Sequence, residues 1–282
     1  MKLQLGFSSC PNDTLIFEAL VNQRINTKGL DFEIHIADVE ELNKRALQGD
    51  LDVTKLSFFA IMHVLEQYQI LDTGAALGFA NGPLFICKKG NEHHISPDMP
   101  VAIPGEHTTA HLLFSLAYPE FKNKKFYVFS DIEQAIACGE VAAGVIIHEN
   151  RFTYAERGFY ALRDLGNFWE QHYKMPIPLG GIVIKKSLPE DVKQTVNQLI
   201  GESIRYGKNH INEALPYIRS WAQEMNTGVM QQHIDLFVND FSSNLGTVGK
   251  QAIRTLFAAA KEKKMVCSGL PKGMFLNDEL IN

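Results

Sequence analysis

His148 ends an apolar run, Ala143-Gly144-Val145-Ile146-Ile147, and is followed by Glu149 and Asn150. A run of this kind reads as a buried strand, so the imidazole falls at a strand's carboxyl end beside an acid. Imidazole titrates near neutral pH, which suits it to proton transfer. A structural histidine is the competing reading, and the strand-end position favours the catalytic one. A second cluster, Ser8-Ser9-Cys10-Pro11-Asn12-Asp13-Thr14, separates strand-like residues (Leu3, Leu5, Phe7) from helix-like ones (Leu15, Ile16, Ala19, Leu20). It opens a helix whose first N–H groups have no internal partner and can seat an anion. An ordinary strand-to-helix turn uses the same residue types. Lys55-Leu56-Ser57 and His107-Thr108-Thr109-Ala110 lie at two further strand ends. The latter adds two hydroxyls to a helix N-terminus, although plain capping by Thr accounts for them equally well. Together the four segments suit a carboxylate or hydroxyl-rich ligand.

Other residues carry weaker chemistry. His107 and His111 are four apart on one helix, a metal-compatible spacing, but the companion glutamate of an HExxH pattern is missing, and no metal is expected. Cys10 at a helix N-terminus is either a nucleophile of lowered pKa or a small loop filler. Phe168, Trp169 and Tyr173 offer a stacking surface, a pattern that core packing also produces. His93-His94 falls in a surface connection, and the lysines from Lys261 to Lys264 read as a solvated helix end. No GxGxxG, GxxxxGK or GxSxG stands where it would serve nucleotide, P-loop or hydrolase chemistry.

The elements that must position these groups follow from the chain's patterning. Its 282 residues, 45% hydrophobic and 21% charged, are those of a soluble globular protein large enough for two cores. A net charge of −5 gives no basic surface for nucleic acid, and no apolar run spans a membrane. The start MKLQLGF does not read as a secretory signal. The scattered cysteines, Cys10, Cys87, Cys138 and Cys267, argue against a disulfide scaffold or zinc cluster and fit a reducing cytoplasm. Strand and helix patterns alternate: strands at 30–36, 52–57, 70–77, 83–88, 101–104, 125–129, 141–147, 159–162 and 182–185. Helices are expected at 39–47, 58–65, 106–118, 131–138, 150–157 and 168–173, then at 189–205, 211–223, 228–238 and 250–263. This predicts an α/β chain with parallel sheets in two lobes. Lobe I comprises residues 1–93 and 180–282, lobe II residues 94–179, and the helical C-terminal tail packs on the first lobe. Ligands of such folds sit between the lobes, at the carboxyl ends of the strands.

The segments SSCPNDTLIFEAL, KLSFFA, ANGPLFICKKG, PGEHTTAHLL and GVIIHENRFTY, in this order, resemble the 1,4-dihydroxy-6-naphthoate synthase family of menaquinone biosynthesis. The likeness runs through about residue 190 and is strongest in PNDT and IIHENRFTY. It implies a fold like the type II periplasmic solute-binding proteins. It also implies cytoplasmic conversion of cyclic dehypoxanthinylfutalosine to the naphthoate, with no metal or organic cofactor. By resemblance the proton acceptor falls on His148, and substrate contacts fall on Lys55, Leu56, Ser57, Thr109 and Ala110. Asn12, Asp13, Asn81 and Gly181 are candidates for the sugar-derived portion. The expected partner is therefore a small-molecule carboxylate. A non-catalytic solute-binding protein is the principal rival, followed by the related chorismate dehydratase and by a ligand-sensing regulatory lobe.

Overall fold

The computed structural model describes residues 1–222, 226–266, 269 and 271–278. Cys267 and the end of the helix expected to reach Gln223 lie outside the described residues. Lobe I opens with β1 (Lys2–Phe7), β2 (Asp31–Ile36), β3 (Val53–Ser57), β4 (Tyr68–Ile70) and β5 (Ala76–Gly78). Then come β6 (Leu84–Lys88), β7 (Val101–Ile103), β8 (Lys124–Phe126), β9 (Ala143–Ile146) and β10 (Phe159–Asp164), before β11 (Ile177–Lys185) returns. One sheet has the order β2-β1-β3-β11-β4, with β5 also paired to β11; the other has the order β10-β6-β9-β7-β8.

Three expectations are corrected. Neither sheet is wholly parallel: β11 runs antiparallel to β3, with Lys55 opposite Ile182, and β6 runs antiparallel to both β9 and β10. The strand expected at 70–77 is two short ones, because Gly74 turns the chain at φ +80 against Ile182. Leu84–Lys88, expected in the first lobe, belongs to the second sheet, where Phe85 lies opposite Val145. Its apolar residues are buried at the middle of that sheet, and an apolar run alone does not name its partner strand. The chain thus crosses between lobes at 79–83 and again at 174–176, and the polar stretch at 91–100 is a loop within the second lobe.

The helices read largely as expected. Pro11 occupies the first turn of Pro11–Val21, where its missing N–H costs nothing. Asp38 caps Val39–Gln48, which ends on Gly49 at φ +76, and Thr108 caps Thr109–Ala117. Helices Glu190–Asn209, Ile211–Trp221 and Thr227–Phe237 all pack on Pro11–Val21, so the tail does cover the first lobe. Asn150–Thr153 is a single turn, shorter than the pattern suggested. One apolar cluster runs from Phe59 and Ile61 through Leu112, Leu113 and Phe114 to Phe85 and Val145. Packing therefore joins the lobes behind the cleft, in addition to the two crossings. Among the described residues no helix is long and apolar enough to cross a membrane.

Candidate active site

A cleft of about 720 Å³, mouth included, opens between the lobes and lies within the range of small-molecule sites. Its lining brings together Asn12, Asp13, Lys55, Leu56, Ser57, Thr109, Ala110 and His148, all expected there; Gly180 rather than its neighbour Gly181 faces it. These groups converge because β1, β3 and the segment after β9 all end at this level.

His148 lies two residues beyond the end of β9, after Ile147, with φ +59, a left-handed conformation unusual for a residue with a Cβ. Its Nδ1 lies 3.2 Å from Cys10 Sγ, its ring packs edge-on against Phe129, and its Nε2 is enclosed without a hydrogen-bond partner. Burial pushes the imidazole below the ordinary histidine value. The charges of Asp38 and Asp13 partly oppose this, and that of Lys55 adds to it. The ring is therefore held neutral. Burial pushes the Cys10 thiol well up, with Glu149 and Asp13 adding to the rise, so the nucleophile reading of Cys10 loses its basis and the thiol acts as a fixed neighbour.

Opposite stands a polar chain. Lys55 Nζ donates to Asp13 Oδ1 at 2.8 Å and to Gly74 O at 2.9 Å, and both side chains of the pair are about 5% exposed. Ser8 donates to Asp13 Oδ2, and Asn12 Nδ2 to Asp13 Oδ1. Asp13 and Lys55 thus hold one another, and their role at the cleft is a buried ion pair with its donors. Thr109 Oγ1 donates to Leu179 O at 2.7 Å and accepts from Phe59 N at 3.3 Å, so its hydroxyl ties the helix to the first lobe. What remains for an anion there is the pair of first-turn N–H groups of Thr109 and Ala110. Thr108 is the N-cap, accepting from His111 N.

The structure adds residues that the sequence did not single out. Arg151 lines the cleft and donates to Gly82 O and, at 3.4 Å, to Asp164, bringing a paired cation to the cleft wall. His233 and Phe237 reach the cleft from Thr227–Phe237. Asn81, already a candidate from the sequence, also lines the cleft; it is 1% exposed and both its side-chain polar atoms lack partners. The signal for His233 was a polar residue on the buried face of Met230, Ile234 and Phe237.

Other candidates dissolve. His107 Nδ1 lies 3.0 Å from Glu40 Oε1, and His111 pairs with Glu106 O and Lys124, so the two do not share a site. Trp169 is fully buried, donates to Pro176 O and stacks on Tyr173 within the core. Cys10, His148 and Glu149, by contrast, do converge, with donor atoms within 4.8 Å of one another.

The fold is that of periplasmic binding proteins. A ligand-binding component of an ABC-type import system from Staphylococcus aureus superposes with a TM-score of 0.72 at 13% identity, over 98% of this chain and 96% of that one. The family is narrower. Residues 3–262 match the family described as "Menaquinone biosynthesis". A 1,4-dihydroxy-6-naphthoate synthase of Thermus thermophilus is 39% identical over 97% of this chain and 99% of its own length. Another, from Streptomyces coelicolor, is 36% identical over 94% of both. The chain belongs to this menaquinone-biosynthesis family, whose named relatives are enzymes.

Proposed function

We propose that this chain is a cytoplasmic 1,4-dihydroxy-6-naphthoate synthase that converts cyclic dehypoxanthinylfutalosine to the naphthoate and dihydroxyacetone, with His148 as general base. The observation that carries this reading is a cleft-lining imidazole whose enclosed Nε2 has no hydrogen-bond partner, beside backbone N–H groups able to seat an anion. In the tautomer that donates Nδ1–H to the Cys10 sulfur, 3.2 Å away, Nε2 keeps its lone pair for the substrate. The ring carboxylate sits on Arg151, the Ser57 hydroxyl and the N–H groups of Thr109 and Ala110.

His148 takes a proton from the sugar-derived portion of the substrate, and a carbon–carbon bond to that portion breaks. The electron pair of that bond moves into the ring system, which becomes aromatic, and the proton returns to an oxygen of the products. Substrate and products balance without oxidant or reductant. Aromatisation supplies the driving force, so the protein needs a placed base and oriented donors. The test is turnover by His148→Ala with purified substrate, and activity within a few-fold of wild type, with binding intact, removes His148 as the base. Wild-type protein that turns over chorismate instead would assign the sister dehydratase reaction. Tight ligand binding without turnover of either would favour the binding-protein reading suggested by the fold.

A further inference from the structure

His233 comes from the helical tail, is 1% exposed, and lines the cleft with a ring 6.4 Å from that of His148. Its two nitrogens are chemically distinct, and the chain of contacts behind it says which carries the proton. Asp13 is paired with the Lys55 ammonium, so its oxygens have only lone pairs to offer. The Asn12 atom 2.8 Å from Asp13 Oδ1 is therefore the amide nitrogen, which leaves the Asn12 carbonyl oxygen 2.9 Å from His233 Nε2. A carbonyl only accepts, so Nε2 carries the hydrogen. Nδ1 is then a bare lone pair, and it has no hydrogen-bond partner. Its approach to Glu149 Oε2, at 4.0 Å, is too long for a shared proton. The groups facing the ring are His148, Arg151, Lys55 and Glu149. Burial, then His148, Arg151 and Lys55, all favour the uncharged imidazole.

We propose that His233 is a substrate-binding residue whose bare Nδ1 accepts a hydrogen bond from a hydroxyl of the polyol portion of the ligand, its tautomer being set by the chain Lys55–Asp13–Asn12. A buried acceptor with nothing to accept from is completed by a donor brought in with the ligand. A hydroxyl meets that need and a carboxylate does not. The proposal rests on the synthase reading only for the substrate's identity.

Two measurements test it. Nitrogen-15 NMR of the histidine rings in the ligand-free wild-type protein should show His233 protonated at Nε2 alone. A ring protonated at Nδ1, or at both nitrogens, overturns the proposal without reference to activity. The second uses His233→Gln, whose amide can still donate to Asn12 but offers no acceptor at the Nδ1 position. Its kcat/KM for the polyol-bearing substrate should fall about 10- to 100-fold, the loss expected when a buried polar contact is left unmade. Its affinity for 1,4-dihydroxy-6-naphthoate, which lacks the polyol, should stay within about twofold of wild type. Turnover by His233→Gln within about twofold of wild type overturns the proposal, as does an equal loss of naphthoate binding. Failure of the synthase reading would appear in the wild-type protein itself as no turnover, while the ring-tautomer measurement would still stand.

Discussion

Replacing Asp13 by Ala tests the polar frame on which the cleft is built. The carboxylate and the Lys55 ammonium meet at 2.8 Å with both side chains about 5% exposed, and besides Asp13 the ammonium has the Gly74 carbonyl. Removing one member of a buried pair leaves an uncompensated charge, which costs about 3–5 kcal/mol. Ser8 and Asn12 also lose their acceptor, so the upper part of that range applies. The double variant Asp13→Ala with Lys55→Met has no stranded charge; its cost should shrink to the unmade bonds of Ser8, Asn12 and Gly74, about 1 kcal/mol each at the low end for such groups. Urea unfolding of the single and double variants measures both numbers, and the coupling between them should be about 2 kcal/mol or more. An Asp13→Ala loss below about 1 kcal/mol, or a double loss equal to the sum of the singles, refutes the reasoning.

His148→Gln should lower kcat about 10²- to 10⁴-fold while naphthoate binding persists, measured by steady-state turnover and titration calorimetry. Burial holds His148 and His233 below 6.5, so between that value and their folded ones the unfolded chain binds the extra protons. Stability therefore rises with pH through that window and is lost on acidification, and the unfolding midpoint measured from pH 7 down to 5 should fall; a flat profile contradicts their neutrality. The buried Cys10 thiol should resist iodoacetamide while exposed Cys138 is alkylated, which peptide mass spectrometry reads directly. Gly82→Ala would place a Cβ 2.3 Å from the Gly166 backbone at the first crossing, and should cost about 1–3 kcal/mol in thermal unfolding.

The parts of the site that were legible in the sequence are those marked by local contrast. His148 was legible because an apolar strand ran straight into it, and Asn12 and Asp13 because a polar turn interrupted strand and helix. His233 carried no such mark. It sits among Met230, Ile234 and Phe237 on an apolar helix face, and only the docking of the tail on Pro11–Val21 brings it to Asn12. Arg151 reads as a solvated charge in a helix's first turn, and its contact with Gly82 depends on the crossing between the lobes. The placement of Leu84–Lys88 failed for a related reason. An apolar strand announces its burial and leaves its neighbours unstated, and here β9 and β10 lie more than fifty residues downstream. The hydroxyl of Thr109 shows the converse, since a residue rightly placed at the cleft can be spent on holding two elements together.

The backbone at His148 carries a cost that the rest of the chain must absorb. A left-handed φ at a residue with a side chain is unfavourable by about 1–2 kcal/mol, and glycine or asparagine would relieve most of it. His148→Asn and His148→Gly should therefore keep the fold, and where the lost ring contacts with Phe129 are small they should melt higher than the parent while doing no chemistry. A position at which the fitter backbone is the useless one marks a compromise between durability and work, and its size can be read as a difference of two melting curves.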